Sequence, residues 1–242
     1  MLKIVIADSY DQVSEEAFKI MRQVVEKENP VLGLATGSTP VGLYKKMIAD
    51  HKTNGTSYKN AITFNLDEYV GLPRNHEQSY YTFMHDNLFN EIDVPEENIH
   101  IPNGEAADAE AECVRYENEM AKYVVDVQIL GIGSDGHIAF NEPGTAFDSL
   151  THTMELTEQT RKDNARFFGG DIEQVPTLAI TQGLGTIMRA KKIILIATGA
   201  NKADAVYGMI KGPKTTECPA SILQDHPDVT VILDEAAAAK IK

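Results

Sequence analysis

The chain has 242 residues and a net charge of −14, and residues 1–150 account for all of the acidic excess. So acidic a protein is poorly suited to binding nucleic acid or an anionic membrane, and an anionic ligand would need a few local cations and free backbone N–H groups. Without a membrane-length apolar run, a signal peptide or a cysteine framework, we expect a cytoplasmic protein.

Short apolar runs alternate along the chain with amphipathic segments. The apolar runs predict β-strands at 2–7, 31–37, 61–67, 98–102, 124–133, 191–199 and 228–234. Helical spacing or composition predicts helices at about 13–24, 40–48, 79–90 and 106–122. Pro30 ends the first helix, and Pro40 stands near the start of the second, where proline is tolerated.

This order of elements predicts an α/β fold. Strands that are apolar on both faces and separated by helices are typical of a mostly parallel sheet with helices on both faces. No low-complexity linker or strong repeat divides the chain. We therefore predict a single domain over residues 1–242.

Two strand ends share the pattern of an apolar run, Ala-Thr-Gly and a helix start. The first, "LATGSTP", contains Thr36, Gly37, Ser38 and Thr39, and the second, "IATGANK", contains Lys202. Small residues, free N–H groups and the positive end of a helix dipole suit an anion, and Lys202 adds a cation. Either turn alone could be an ordinary strand-to-helix connection, but together they favour a phosphate-bearing ligand.

The third predicted strand ends in "FNLDEYVGLP", which places Asp67 and Glu68 at the same edge of the sheet. Successive strand residues point to opposite faces, so we expect at most one of these carboxylates to face a shared ligand. A helix cap or a solvated loop is the alternative for such a pair.

The segment "ILGIGSDGHIAFNEPG" (129–144) brings Asp135, His137 and Glu142 to the fourth strand end. One imidazole with two carboxylates suits an acid/base relay, because histidine titrates near neutral pH and a carboxylate can orient its ring. A metal site is less favoured, because no second histidine or cysteine lies nearby. A structural histidine held by its neighbours is the other alternative.

The same segment fits the glycine pattern of a dinucleotide-binding turn, G-x-G-x-x-G. That motif requires its last glycine to open a long helix and an acidic residue about 20 positions on. Glu155 is at a suitable distance, but Pro143 and Gly144 interrupt the segment where the helix would run. We therefore predict a turn that serves another chemistry.

The motifs "LATGSTP", "FNLDEY", "LGIGSDGHIAFNEPG", "RFFGG" and "TGANKA" together resemble the glucosamine-6-phosphate deaminase family, in order from about residue 31 to 203. The combination of "DGHIAFNEP" with "LDEY" is the specific part of the resemblance. It implies a modified Rossmann-like fold without a dinucleotide, metal or organic cofactor. It also implies an isomerising deaminase of the hydrolase class, which converts glucosamine 6-phosphate to fructose 6-phosphate and ammonia.

The resemblance also implies roles for individual residues. His137 would move a proton between the sugar ring oxygen and the C1 hydroxyl, with Asp135 and Glu142 as its partners. Asp67 would carry the C2 proton to C1 through an enolamine, and we expect its carboxylate to be ionised at pH 7 with only modest tuning. Residues 36–39 with Arg166 and Lys202 would bind the phosphate, although Arg166 alone would pass for a surface arginine.

Two rival functions remain open. A 6-phosphogluconolactonase-like hydrolase shares the Asp-Gly-His turn, but here the histidine is followed by "IAFNEPG", which retains Glu142. A non-catalytic sugar-phosphate sensor would need a DNA-binding segment ahead of the first strand, where we find no room for one. Because the C-terminal extension of the hexameric, allosteric members is lacking, we expect a monomer or small homo-oligomer without activation by N-acetylglucosamine 6-phosphate.

Overall fold

The computed structural model describes residues 2–242. Its strands are β1 Lys3–Ala7, β2 Val31–Leu34, β3 Ile62–Asn65, β4 Asp67–Tyr69, β5 Ile99–His100, β6 Val127–Leu130, β7 His152–Glu155, β8 Leu178–Thr181, β9 Ile193–Ala197 and β10 Val229–Asp234. Its helices are α1 Tyr10–Val25, α2 Val41–Asn54, α3 Tyr80–Asn87, α4 Ala109–Met120, α5 Glu158–Ala165, α6 Leu184–Ile187 and α7 Ala203–Lys211. None of the helices in this range is both long and apolar enough to cross a membrane.

The larger sheet has seven parallel strands in the order β1-β10-β9-β6-β2-β3-β5. From β2 the chain proceeds to one side of the sheet, and from β6 it proceeds to the other. The carboxyl ends of β2 and β6 therefore flank a topological switch point, the place where open α/β sheets bind ligands. The predicted α/β fold with a mostly parallel sheet is confirmed.

The predicted strands are real but shorter than their apolar runs. The run 31–37 is a strand only as far as Leu34, and residues 35–40 form the loop to α2. The run 61–67 is divided, because Asn65 ends β3 and the chain enters a different sheet at Asp67. In both cases the chain leaves the large sheet where site residues begin.

A second, antiparallel sheet in the order β4-β8-β7 was not predicted. Its β7 strand, "HTME", is half-exposed and lacks an apolar run, so the sequence pattern contains no strong strand signal there. Asp67 pairs with Thr181 of β8 in this sheet. A small core beneath it joins Tyr69, Phe140 and Phe168 with aliphatic neighbours.

The helix starts follow local rules that can be read from the sequence. Ser9 caps α1 by accepting a hydrogen bond from the Gln12 N–H, and Ser79 caps α3 through the Thr82 N–H. Pro40 precedes α2, which has no side-chain cap and ends at Gly55 with a φ of 73°. The Tyr10 hydroxyl instead accepts a hydrogen bond from the Gly42 N–H in the first turn of α2.

Candidate active site

The β2–α2 loop supplies backbone donors to the site. Residues 36–39 line a cavity of about 190 Å³ at the switch point, far more than the roughly 10–15 Å³ that one buried water needs. Gly37 has a φ of 85°, a conformation that favours glycine. The Tyr10 hydroxyl hydrogen-bonds the carbonyls of Ser38 and Thr39. Within residues 2–242, no protein group accepts a hydrogen bond from the N–H groups of residues 36–39.

The second predicted cradle, "IATGANK", is only partly correct. The Gly199 N–H donates to the Asp234 carboxylate at 2.9 Å, so it is not free for an anion. The segment 200–202 is a short 3-10 turn before α7, and Lys202 alone of this stretch lines the cavity. The Ala-Thr-Gly pattern at this end therefore turns the chain and positions a cation.

Two cations converge on the cavity. Lys202 and Arg166 both line it, and over residues 2–242 neither forms an ion pair within 4.0 Å. Burial lowers the pKa of Lys202, while nearby Asp163 acts in the opposite direction. Arg166 lies just after α5, and its guanidinium stands 4.6 Å from the ring centroid of Phe167. Unpaired cations beside free N–H groups suit a phosphate.

The turn after β6 presents the predicted histidine cluster. The His137 Nδ1 atom is 2.7 Å from Asp135 Oδ1 and 3.8 Å from Glu142 Oε2. Glu142 is buried and its Oε1 accepts from the N–H and hydroxyl of Thr157, whereas its Oε2 has no partner. Burial would raise the pKa of Asp135, but the hydrogen bond to His137, the charge of that ring and hydrogen bonds from backbone N–H groups together lower it to about 2. Asp135 is thus a fixed negative charge beside the imidazole.

Two glycines of this turn make room for protein side chains, one of which is the histidine. A Cβ on Gly133 would lie 2.3 Å from the His137 ring, and one on Gly136 would lie 2.6 Å from the Cys218 sulfur. Residues 131–151 contain no helix, as Pro143 and Gly144 predicted. Ala139 is the sole non-glycine residue in the range 2–242 with a positive φ, at 53°, so the turn after His137 is strained.

Asp67 and Glu68 face different cavities, as the alternation of strand side chains predicted. Asp67 lines the cavity that also contains His137. Glu68 lines a second cavity and accepts hydrogen bonds from the backbone N–H groups of Tyr69, Tyr80 and Tyr81. Glu68 therefore caps the start of α3, and Asp67 alone faces the ligand space.

The protonation state of Asp67 differs from the expectation. Burial, followed by the charge of Glu68, raises the pKa of Asp67 to about 8. No protein group among residues 2–242 hydrogen-bonds its carboxylate. The expectation of an ionised carboxylate needing only modest tuning was wrong for the ligand-free protein, because the carboxyl is desolvated without a compensating donor.

An aromatic wall completes the cavity and was missed by the sequence reasoning. The Tyr69 ring lies 4.8 Å from Tyr80, 5.6 Å from Phe140 and 5.8 Å from Phe168, measured between centroids. All four rings line the cavity. The aromatic residues within "DEY", "SYY" and "RFF" are the signal that could have indicated this wall.

The histidine cluster also satisfies the geometry of a cation site. One ligand atom each from Asp135, His137 and Glu142 lies within 4.8 Å of the others. Two carboxylates and one imidazole are not the nitrogen- and sulfur-rich set typical of zinc. The acid/base interpretation is favoured, and chelation is the direct test of the alternative.

Comparison with known proteins agrees with this geometry. A model of the family "Glucosamine-6-phosphate isomerases/6-phosphogluconolactonase" matches residues 7–232. The chain belongs to this family. A glucosamine-6-phosphate deaminase of Thermoanaerobacter pseudethanolicus is 52% identical over 99% of this chain and 95% of its own length. Glucosamine-6-phosphate deaminase 2 of Bacillus subtilis is 50% identical, covering 100% of this chain and 98% of its own.

Solved structures of the family give the same result. A monomeric glucosamine-6-phosphate deaminase matches with a TM-score of 0.96 and 44% identity, covering 98% of this chain and 99% of its own. A 6-phosphogluconolactonase from Trypanosoma brucei matches with a TM-score of 0.82 at 21% identity, covering 100% and 99%, which is a likeness of fold alone. The resemblance to glucosamine-6-phosphate deaminases is confirmed.

Proposed function

We propose that the protein converts glucosamine 6-phosphate to fructose 6-phosphate and ammonia. The observation that carries this proposal is one cavity lined by Asp67, His137, Arg166, Lys202 and the loop 36–39. It combines two acid/base groups with an anion site, as an isomerising deaminase of a sugar phosphate requires. The full-length relatives at about 50% identity bear the same activity in their names.

Ring opening is the role we propose for His137. The sugar is mostly a closed ring, so a proton must leave the C1 hydroxyl and another must reach the ring oxygen. The His137 imidazole can do both, since its ring can accept a proton and then donate it. The Asp135 carboxylate at 2.7 Å favours the imidazolium that forms transiently, and the unpaired Glu142 oxygen at 3.8 Å is the second partner within reach.

Proton transfer from C2 to C1 is the role we propose for Asp67. The carboxylate takes the C2 proton, an enolamine forms, and the proton returns to C1 to leave an imine at C2. Water adds to this imine and ammonia leaves, so the deamination is hydrolytic. The substrate amine is attached to C2, and its positive charge when protonated would favour the ionised form of a carboxyl whose pKa burial raises to about 8.

Phosphate recognition is the role we propose for the loop 36–39, Lys202 and Arg166. The N–H groups of residues 36–39, just before α2, supply donors, and Lys202 and Arg166 supply charge. We further propose that the chain acts as one domain over residues 1–242, in the cytoplasm, as a monomer or small oligomer. The similarity to a monomeric deaminase supports the monomer.

An ammonia-release assay on glucosamine 6-phosphate tests the activity, with fructose 6-phosphate measured in parallel. Equal amounts of both products support the proposal, and absence of both contradicts it. EDTA is expected to leave the rate unchanged, and inhibition that Zn²⁺ or Mg²⁺ reverses would favour the metal alternative. N-acetylglucosamine 6-phosphate is expected not to activate. Hydrolysis of 6-phosphogluconolactone without ammonia release would favour the rival hydrolase.

A further inference from the structure

Three buried amide side chains lie between the strand of Asp67 and the loop of His137. Asn65, Asn141 and Gln182 are each 0% exposed. Asn65 ends β3 two residues before Asp67, and Gln182 directly follows β8. Asn141 precedes Glu142 in the loop that carries the histidine cluster. None of the three lines the cavity, so contact with a ligand does not account for them.

The side chains of Asn141 and Gln182 form hydrogen bonds that link these segments, whereas Asn65 takes part through its backbone carbonyl. Asn141 Nδ2 donates to the Gln182 carbonyl at 2.9 Å, and Gln182 Nε2 donates to the Asn65 carbonyl at 3.0 Å. The Gln182 N–H also donates to the Leu66 carbonyl at 2.8 Å. The residue immediately before Asp67 is therefore tied, through Gln182, to the loop of His137.

Asn141 also holds the strained turn after the histidine. Its Nδ2 donates to the Ile138 carbonyl at 3.0 Å, and its backbone N–H donates to the same oxygen at 3.1 Å. These bonds close the turn around Ala139, whose φ is 53°. A strained backbone persists only when its surroundings hold it, and Asn141 supplies that restraint.

The cluster is not arranged for stability alone. Four of its buried amide atoms have no hydrogen-bond partner, namely Asn65 Oδ1 and Nδ2, Asn141 Oδ1 and Gln182 Oε1. An unpaired buried polar group destabilises the folded state, and apolar side chains of similar shape would avoid that cost. Buried polar groups of this kind are commonly completed by internal water, which makes about three hydrogen bonds.

We propose that Asn65, Asn141 and Gln182 are positioning residues, a hydrated amide cluster that fixes the spacing between Asp67 and the His137 loop. The inference rests on the proposed function, in which both groups act on neighbouring atoms of one sugar. A displacement of about 1 Å in such a pair can cost about a hundredfold in rate. Because the same cluster holds both the strand of Asp67 and the loop of His137, the spacing between these two groups stays constant.

Isosteric substitutions provide the kinetic test. Gln182→Met keeps the shape and removes the hydrogen bond from Nε2 to the Asn65 carbonyl, and Asn141→Leu removes the bonds from Nδ2 to the carbonyls of Gln182 and Ile138. Each is expected to lower kcat by about 10- to 100-fold with KM within about threefold. Their double mutant is expected to lose little more than the worse single variant, because the residues act as a unit. Gln128→Met is the matched control, since the Gln128 side chain is also buried and, within residues 2–242, hydrogen-bonds only the Ile129 carbonyl of its own strand. It is expected to lose stability but keep kcat.

Crystal structures of the wild type, Gln182→Met and Gln128→Met provide a test that does not depend on turnover. We expect water bonded to the cluster amides in the wild type, and a change of at least about 0.5 Å in the Asp67–His137 separation in Gln182→Met alone. An unchanged separation, or equal kcat losses in Gln182→Met and Gln128→Met, would overturn the inference. If Gln182→Met does not fold, Asn141→Ser is measured in its place. Inactivity of the wild type would refute the proposed function instead, and the crystallographic comparison would still decide the inference.

Discussion

Asp67→Asn is expected to stabilise the fold at alkaline pH while it removes the proposed base. The buried Asp67 carboxyl has a pKa raised to about 8, against an ordinary value of 3.8 in an unfolded chain. Between these two values the folded state keeps a proton that the unfolded state has released. The free energy of unfolding therefore falls as pH rises, and it levels off above about pH 8. Asparagine has no proton to lose and escapes this dependence.

The size of the effect follows from the two pKa values. They differ by about four units, and each unit corresponds to about 1.36 kcal/mol, so the ceiling is about 6 kcal/mol. Local relaxation and water entry reduce the cost of a buried charge. We therefore expect the stability of Asp67→Asn relative to wild type to increase by at least about 2 kcal/mol between pH 5 and pH 9.

Urea unfolding at one-unit pH steps from 5 to 9 measures this difference. Comparing the pH slopes removes any constant offset between aspartate and asparagine. Asp126→Asn is the control of opposite sign, because Asp126 is hydrogen-bonded by Lys27, Lys191 and the Val31 N–H, and its pKa is lowered. It is expected to be destabilised near neutral pH, with the deficit shrinking only as pH falls below about 4. A stability difference for Asp67→Asn that does not change with pH would refute the reasoning.

Four further expectations concern activity. In wild type, kcat/KM is expected to rise with pH up to about 8, as Asp67 loses its proton; a flat profile from pH 6 to 9 would contradict this. His137→Gln is expected to be partly rescued by substrate supplied in open-chain form, and equal impairment on both forms would argue against ring opening. Lys202→Ala is expected to raise KM about tenfold or more with kcat within threefold, and an unchanged KM would exclude the phosphate role. Gly133→Ala places a methyl group 2.3 Å from the His137 ring, so kcat is expected to fall about a hundredfold, whereas wild-type kcat would show that the ring can move aside.

Strand ends were the most predictable part of the molecule. The apolar runs before Thr36, Asp67 and Gly131 predicted a parallel sheet, and in such a sheet carboxyl ends share one edge. The sequence pattern alone therefore predicts that Asp67, His137 and the loop 36–39 lie together. The alternation of side chains along a strand also predicted correctly that Asp67 and Glu68 point in different directions.

What the sequence did not predict depends on contacts between distant segments. The strand β8 is recognisable mainly because it pairs with β4, and the aromatic wall is assembled from four separate segments. The sequence predicted a free Gly199 N–H, but this group donates to the carboxylate of Asp234 at the end of β10. The raised pKa of Asp67 likewise arises from burial, which no local pattern reports.

The pairing of Asp67 with Thr181 has a consequence for how the protein acquires activity. Contacts between residues far apart in sequence require a large loop to close, so they form slowly. The strand β4, which carries the proposed base Asp67, cannot pair with β8 until residue 181 has left the ribosome. The hydrogen bond from Asn141 to the Gln182 carbonyl, which holds the His137 loop, forms at the same stage. A nascent chain that already contains Asp67, His137 and Glu142 therefore remains inactive, and the proposed reaction centre is completed late in folding.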